Sequence, residues 1–196
     1  MDRFFKFLNS DRYQYAESEI YLENNMHNQI AVFDVFLRTK NENDYAIVYG
    51  IYDVLELIEI LNETSYEDRK KYLSELSDNE NFIEYMSNMK FTGSIRGVRD
   101  GEMVLSNEPI LTVTAPLIQG KIMETPILNV LNYQILTATV TSKIIQTAKG
   151  REVLFFGTRR ASGFEAAMSM VKACSVTGCA SHSNLMGEYF YNLKST

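Results

Sequence analysis

The chain has 196 residues, of which 45% are hydrophobic and 22% are charged, with 10 glycines and 3 prolines. This composition excludes disorder and collagen-like repeats, and the length fits one or two domains with a sizeable core. The formal net charge of -6 disfavours general binding to nucleic acids or anionic membranes, although it leaves a local basic pocket possible.

Cysteine and histidine are scarce, which argues against a metal centre. Two cysteines, Cys174 and Cys179, and two histidines, His27 and His182, lack the spacing of a zinc set, so we predict reduced thiols and no metal site. No apolar stretch suits a signal peptide or reaches the roughly 20 residues of a membrane span. These features predict a cytoplasmic protein with no membrane anchor.

The first part of the chain, residues 1–115, is predicted to be a mixed α+β domain. Its helices are predicted from a cap at Ser10 or Asp11 to about Asn25, at 52–61, and as two short helices within 65–89 that separate near 77–79. Its strands are predicted at 30–37 (buried), at 45–49 after the polar turn 40–44, and within 91–98, 103–106 and 110–115. On the helix at 52–61, the expected apolar stripe is Val54, Leu55, Ile58 and Leu61.

The second part, residues 116–196, alternates helices and strands as a parallel βα system does. We predict a long helix at 117–148 that Pro126 divides or kinks, followed by a strand at 153–156, a helix at 161–174, a strand at 176–178 and a helix at 184–191. So few strands cannot close a barrel. The second domain is therefore predicted to be the first part of a larger α/β domain.

The segment VLFFGTRRASGFEAA (153–167) carries the most chemistry. A short apolar strand leads to Phe156 and then to Arg159 and Arg160, immediately before a helix. Strand ends in βα folds bind ligands, and guanidiniums near a helix N-terminus suit phosphate or carboxylate. Phe156 could stack on a flat ring. The alternative is a core phenylalanine beside arginines that pair with surface carboxylates.

A second candidate is the loop GCASHSNLMG (178–187). Ser181, Ser183 and Asn184 either present polar groups to a ligand or simply cap the following helix. His182 has no acidic residue fixed beside it, so nothing supports a Ser-His-Asp triad.

Five segments in this order resemble the nicotinate phosphoribosyltransferase family. Its D-x-Y-[KQ] helix start matches residues 11–14, and its A-x-F-[DE]-x-F-x-R strand matches 31–38. The stretch 107–139 is very similar to its N-E-P…E-T-x-[IL]-L-N pattern. Its F-G-x-R-R-A motif matches 156–161, and its G-x-x-x-x-S-N loop matches 178–184.

The resemblance implies an α+β N-terminal domain joined to an incomplete TIM-like α/β barrel, in a protein that acts as a dimer. It implies a glycosyltransferase and ligase of NAD biosynthesis that couples nicotinate to phosphoribosyl pyrophosphate. ATP hydrolysis through a transient phosphohistidine assists that reaction, and Mg²⁺ accompanies the phosphates.

The resemblance also assigns roles to matching residues. Phe156 would stack on the pyridine ring, and Tyr13 of the neighbouring subunit would cover its other face. Asp11 would lie beside Tyr13 at that subunit boundary. Arg159 would hold a phosphate near the reacting centre, and Arg160 would support it.

Ser183 stands where relatives that use an amide substrate are expected to carry an acidic residue. A neutral hydroxyl tolerates a carboxylate substrate, which favours nicotinate over nicotinamide. The chain departs from the family at Asn41-Glu-Asn-Asp44, Ala180 and His182. The family's G-T-x-A-H element with its phosphorylated histidine is expected just after Thr196, so we assign no catalytic residue here.

Three hypotheses follow. The first is the N-terminal part of a nicotinate phosphoribosyltransferase that is inactive alone, with either a homodimer or a C-terminal partner chain expected. The second is a non-catalytic fragment that retains only dimerisation or anion binding. The third, an enzyme that uses nicotinamide or quinolinate, is disfavoured by Ser183.

Overall fold

The computed structural model describes residues 9–38, 44–193 and 195; the predicted turn at 40–44 lies outside these residues except for its last position. The mixture of helices and strands confirms the predicted α/β class. In chain order the elements are α1 (Arg12–Glu23), β1 (Ile30–Phe36), β2 (Tyr45–Ile47), α2 (Ile51–Glu63), α3 (Tyr66–Leu73), α4 (Glu80–Asn88), β3 (Ser94–Gly97), β4 (Met103–Leu105), β5 (Pro109–Pro116), α5 (Leu117–Ala148), β6 (Leu154–Phe155), a 3₁₀ turn (Thr158–Arg160), α6 (Phe164–Thr177), β7 (Ser181–His182) and α7 (Leu185–Tyr191).

The chain folds as two compact units. The first comprises the chain up to Val35, Tyr52–Arg96 and Leu111–Asn129. The second comprises Phe36–Ile51, Gly97–Ile110 and the chain from Val130 onwards. The division into domains 1–115 and 116–196 stays a prediction.

Two side-chain caps in the first unit explain why the segment 65–89 forms two helices, as predicted. Ser65 Oγ accepts a hydrogen bond from the backbone N–H of Asp68 at 3.1 Å, at the start of α3. Asn79 Oδ1 accepts one from the N–H of Phe82 at 3.2 Å, at the start of α4. Each cap satisfies an N–H group for which the helix itself has no acceptor.

The apolar stripe of α2 differs from the prediction at two positions, Leu55 and Ile58, neither of which is buried. Leu55 is 41% exposed, whereas Leu57 is buried. The other buried residues of this helix are Val54, Ile60 and Leu61. These side chains contribute to the core of the first unit, together with Phe82 of α4 and with Ile118 and Ile122 of α5.

Strand β1 was predicted to be buried, and this is wrong for one of its faces. It is an outer strand of the three-stranded sheet β1-β5-β3. Its side chains alternate between half-buried and exposed, because successive residues of a strand point to opposite faces. Ile30 and Val32 are 68% and 62% exposed. Asp34 lies on the same exposed face and accepts a hydrogen bond from Thr112 Oγ1 at 2.6 Å.

Helix α5 is a single helix of 32 residues, so the interpretation that Pro126 divides it into two is wrong. A proline removes one helical hydrogen bond, but buried apolar side chains before and after it, including Met123, Ile127 and Leu131, hold both sides. Among the described helices, none has the length and apolar composition that crossing a membrane requires.

The second unit contains two small sheets. Strands β2 and β4 pair antiparallel, with Tyr45 opposite Leu105. Strands β6 and β7 pair in parallel, with Leu154 opposite Ser181 and Phe155 opposite His182. The second pair confirms a parallel βα arrangement in the C-terminal part of the chain.

The strand predicted at 176–178 does not exist, because α6 continues to Thr177. Gly178 then ends the helix in the left-handed conformation (φ 90°, ψ 25°), which glycine adopts without strain. The strand that follows is Ser181–His182 instead. Helix α6 also begins three residues later than predicted, at Phe164, because Gly163 before it has a non-helical backbone conformation (φ 98°, ψ 178°). Residues 158–160 form a separate 3₁₀ turn.

Candidate functional site

Two loops of the second unit meet at the carboxyl ends of β6 and β7. Because these strands are parallel, the residues that follow each of them lie at the same edge of the sheet. The backbone N–H of Ser183 donates to the carbonyl oxygen of Phe155 at 3.1 Å, which continues the pairing by one residue. The structure therefore brings Phe156 and Ser183, two predicted site residues, to one edge.

Phe156 is not a core residue. Its side chain is 48% exposed, so the alternative of a buried phenylalanine is wrong. An exposed aromatic face at a strand end is available to stack on a planar ligand.

Arg159 and Arg160 lie in the 3₁₀ turn that follows, and both are exposed. Within the described part of the chain, no carboxylate lies within ion-pair distance of either guanidinium. Helix α6 begins just beyond them, with Gly163 before its first turn and no side-chain cap. Uncapped N–H groups and free guanidiniums both attract anions.

Asn184 holds the two loops together, a role that the sequence did not single out. Its Oδ1 accepts a hydrogen bond from the N–H of Gly187 at 3.0 Å and caps α7. Its Nδ2 donates to Thr158 Oγ1 at 3.3 Å, across to the 3₁₀ turn. Of the three capping candidates, Asn184 is thus the cap, and Ser183 is half-buried beside it.

His182 is buried in the second unit and supports the loop. It is 3% exposed, and its Nδ1 accepts a hydrogen bond from the N–H of Asn184 at 3.1 Å. This bond fixes the tautomer whose proton is on Nε2. A Cβ atom at Gly187 would lie 2.9 Å from Cε1 of this ring, so the glycine leaves room for the imidazole. His182 is therefore not placed to act as a general base on a substrate.

Tyr13 and Asp11 belong to the first unit, at the start of α1. Tyr13 is 46% exposed, and its hydroxyl donates to Glu124 Oε1 at 3.4 Å and accepts from Gln14 Nε2 at 2.9 Å. Partial desolvation and the charge of Glu124 raise the pKa of Tyr13. Asp11 Oδ2 accepts a hydrogen bond from Thr125 Oγ1 at 3.1 Å, which ties the helix start to α5.

A charged network under Tyr13 orients its ring. The ammonium of Lys121 lies 5.1 Å from the ring centroid and forms ion pairs with Glu17 at 2.8 Å and Glu124 at 3.3 Å. Desolvation opposes ionisation of Glu124, but hydrogen bonding from Gln14 and the charge of Lys121 outweigh it and lower the pKa. Lys121, Glu124 and Gln14 were missed as supporting residues, although the E-T pair of the family pattern pointed to this part of α5.

The described residues contain no cluster of three or more His, Cys, Asp or Glu side chains that could hold a metal ion. The groups available for binding are the exposed ring of Phe156, the guanidiniums of Arg159 and Arg160, and the polar groups of the loop at 178–187, called here the Ser183 loop. These groups suit a planar ligand with anionic substituents.

Comparisons with known proteins agree with the motifs. Residues 8–132 match the family model of the nicotinate phosphoribosyltransferase (NAPRTase) N-terminal domain. The nicotinate phosphoribosyltransferase of Bacillus subtilis (strain 168) is 36% identical over 95% of this chain and 38% of that protein. That of Caenorhabditis elegans is 32% identical over 94% of this chain and 34% of its own length.

Solved structures share the fold at lower identity. Human nicotinic acid phosphoribosyltransferase superposes with a TM-score of 0.84 at 22% identity, over 95% of this chain and 38% of that one. Nicotinate-nucleotide pyrophosphorylase from Pyrococcus furiosus superposes with a TM-score of 0.74 at 18% identity, over 100% of this chain and 42% of that one. The chain thus spans well under half the length of these relatives. By its match to the N-terminal domain model, it belongs to the nicotinate phosphoribosyltransferase family.

Proposed function

We propose that this chain is the N-terminal portion of a nicotinate phosphoribosyltransferase, which joins nicotinate to phosphoribosyl pyrophosphate and yields nicotinate mononucleotide and pyrophosphate. The proposal rests on one observation in a chain of this family: the predicted site residues lie together at the carboxyl ends of the parallel strands β6 and β7. Exposed Phe156, the exposed guanidiniums of Arg159 and Arg160, and Ser183 follow the carboxyl ends of β6 and β7. A cytoplasmic site for this step of NAD biosynthesis is part of the proposal.

The chain's contribution to the reaction is positioning and charge balance. Phe156 stacks on the pyridine ring, and Tyr13 of a neighbouring subunit covers the other face, with Asp11 beside it, so that the active form is a dimer. Arg159 binds a phosphate near the reacting ribose carbon, and Arg160 supports it. Fixed cations near that centre lower the barrier because they need no reorganisation during the reaction.

Ser183 provides selectivity for nicotinate in this proposal. Its hydroxyl can accompany a substrate carboxylate, whereas an acidic residue would repel that charge. The likeness to nicotinate-nucleotide pyrophosphorylase is at 18% identity and supports the fold alone. The proposed substrate is therefore nicotinate rather than nicotinamide or quinolinate.

ATP and Mg²⁺ belong to the proposed reaction. The residues present fit the phosphates, because two exposed guanidiniums lie beside the uncapped start of α6. With no three-ligand cluster among the described residues, Mg²⁺ would arrive on the phosphates and neutralise part of their charge. The family's G-T-x-A-H element is not among residues 1–196, and we expect no turnover by these residues alone.

The test is complementation. The chain is co-expressed with the C-terminal segment of a relative that contains G-T-x-A-H, and nicotinate mononucleotide is measured with ATP present. We expect product with the wild-type chain and a loss of about 100-fold with Arg159→Gln, since a lost charge contact in the transition state costs about this much. The matched control, Arg151→Gln, removes an exposed guanidinium away from the strand edge and should keep full activity. Failure of a folded wild-type complex to form product would overturn the proposal.

The second candidate function is binding of an anion without turnover. The observation in its favour is the pair of exposed guanidiniums, neither of which forms an ion pair with a carboxylate of residues 9–38 or 44–193. Calorimetry of the chain alone with pyrophosphate would detect such binding. ATP-dependent formation of nicotinate mononucleotide by the chain alone would exclude this candidate.

A further inference from the structure

Helix α6 ends in a Schellman motif, a helix end in which a left-handed residue folds the chain back onto the last turn. Gly178 is that residue, and its N–H donates to the carbonyl oxygen of Cys174. The N–H of Cys179 donates to the same oxygen at 3.1 Å. In this motif the residue after the glycine, here Cys179, frequently contacts the residue whose carbonyl oxygen it bonds, here Cys174.

Here both facing residues are cysteines. The side chains of Cys174 and Cys179 interact with each other, and neither cysteine forms a disulfide. The contact is therefore set by backbone geometry, which holds the two sulfur atoms together without a disulfide.

The two thiols differ in exposure and in chemistry. Cys174 is 3% exposed, whereas Cys179 is half-buried and reachable from solvent. The hydrogen bond from Cys174 lowers the pKa of Cys179 against the effect of its own burial. The same contact and burial raise the pKa of Cys174. Cys179 is thus the sulfur that ionises first and that an oxidant reaches first.

We propose that Cys174 and Cys179 are a redox modification site, at which a peroxide oxidises the pair to a reversible disulfide. The thiolate of Cys179 attacks one peroxide oxygen, the O–O bond breaks, and Cys179 becomes a sulfenic acid while hydroxide leaves. The sulfur of Cys174 then attacks the sulfur of Cys179, the S–O bond breaks, and water leaves. Two thiols and one hydrogen peroxide give one disulfide and two waters.

The disulfide would bridge the last turn of α6 across residues 175–178 and fix the segment that leads into β7. Cys179 lies two residues before Ser181, and Ala180 donates its N–H to the carbonyl oxygen of Val153 at 2.9 Å. Oxidation therefore acts next to the Ser183 loop. The proposal concerns the thiols themselves and holds whether or not the chain takes part in the reaction proposed above.

The test is a mass measurement on the reduced full-length chain. It is treated with an equimolar amount of hydrogen peroxide, blocked with N-ethylmaleimide and measured intact. We expect the loss of two hydrogen masses, no maleimide adduct, and full recovery of both thiols after dithiothreitol. Two maleimide adducts, a disulfide between two chains, or oxygen added to Cys179 without a disulfide would overturn the proposal.

Single-cysteine variants separate the two roles. Cys174→Ser should stop at the sulfenic acid of Cys179, which dimedone traps. Cys179→Ser should leave buried Cys174 reduced under the same conditions. Equal oxidation of the remaining thiol in both variants would contradict the assignment of Cys179 as the attacking sulfur.

The role of the helix end is tested separately. Gly178→Asn keeps a residue that tolerates the left-handed conformation, whereas Gly178→Val does not. We expect the disulfide to form at least about tenfold faster in the wild type and in Gly178→Asn than in Gly178→Val. The same difference is expected between the native wild type and the wild type unfolded in urea, where access to the thiols no longer depends on the fold. Equal rates in native and unfolded wild-type chains would show that the geometry has no part.

Discussion

At the scale of single residues, Gly157 shows how one position shapes the candidate site. A Cβ atom there would lie 2.5 Å from Cε2 of Phe155, closer than a side chain can approach. Glycine therefore lets the chain pass over the Phe155 ring just before Arg159. Phe155, which pairs with His182 in the sheet, is the half-buried phenylalanine, and Phe156 is free to face solvent.

Ser183 carries the first prediction at this scale. In the complemented enzyme, Ser183→Asp should lower kcat/KM for nicotinate about tenfold or more, because a carboxylate beside the substrate carboxylate is repulsive. The kcat/KM for nicotinamide, which is neutral, should decrease much less. Competition between the two pyridines for product formation measures the ratio. Ser183→Asn is the matched control, because asparagine has the shape of aspartate without its charge. Equal decreases in kcat/KM for both pyridines in the Asp variant would argue against an electrostatic role.

Glu124 carries a prediction on pH. Its pKa is lowered in the folded chain, so its contribution to stability is complete above the ordinary value of about 4.3 and is lost as the pH falls through the lower folded value. Carboxyl NMR titration should place the Glu124 midpoint below that of an unfolded reference. Lys121→Met should move it upward, because the neighbouring cation is removed. An unchanged midpoint in that variant would show that Lys121 does not hold the carboxylate that positions Tyr13.

At the scale of secondary-structure elements, the local sequence decides most of the fold. Ser65 and Asn79 start α3 and α4 because their side chains accept hydrogen bonds from the first turns, and such caps can be read directly from the sequence. The strand predicted at 176–178 failed for a reason of the same kind. Val176 favours a strand in isolation, but α6 continues through it until Gly178 supplies the left-handed end.

Asn184 carries the prediction at the element scale. Asn184→Ala removes the cap of α7 and the bond to Thr158, and it should lower the free energy of unfolding by about 1–2 kcal/mol. Asn184→Asp keeps the accepting oxygen and should lose less. Thr158→Val removes only the hydrogen bond between the two loops and measures the contribution of that bond to stability. Urea unfolding followed by circular dichroism measures the free energy of unfolding of all three variants. Equal stability of the wild-type and Asn184→Ala chains would show that the cap does not contribute to stability.

At the scale of the whole molecule, the sequence alone reaches its limit at distant contacts. The motifs predicted Phe156, Arg159 and Ser183 as separate segments, and the parallel pairing of β6 with β7 is what brings them to one edge. Tyr13 and Glu124 are 111 positions apart, and only the folded first unit joins them. Asn184 was predicted as a possible helix cap, but its second bond, to Thr158, depends on tertiary structure and could not be predicted from the sequence.

The last prediction concerns the order of the C-terminal segment. Strands β6 and β7 have two residues each, and short isolated pairs of strands are marginally stable. Apolar side chains at helical spacing on the second half of α5 are also exposed: Leu136 at 58%, Val140 at 47% and Ile144 at 51%. An exposed stripe of this kind favours association with another apolar surface.

We therefore expect amides in the range 153–178 to exchange with deuterium faster than those of α2 and α4 in the isolated chain, and the chain to self-associate as its concentration rises. Replacing Leu136 and Val140 by serine should weaken the association, because it removes apolar area without touching a buried residue. The pair Leu55→Ser and Tyr52→Ser on α2 is the matched control, since both side chains are exposed there. Hydrogen exchange by mass spectrometry and sedimentation velocity measure the two effects. Uniform strong protection through 153–178 in a monomer would mean that two-residue strands suffice, and that the strand edge with Phe156 and Ser183 is formed before any partner arrives.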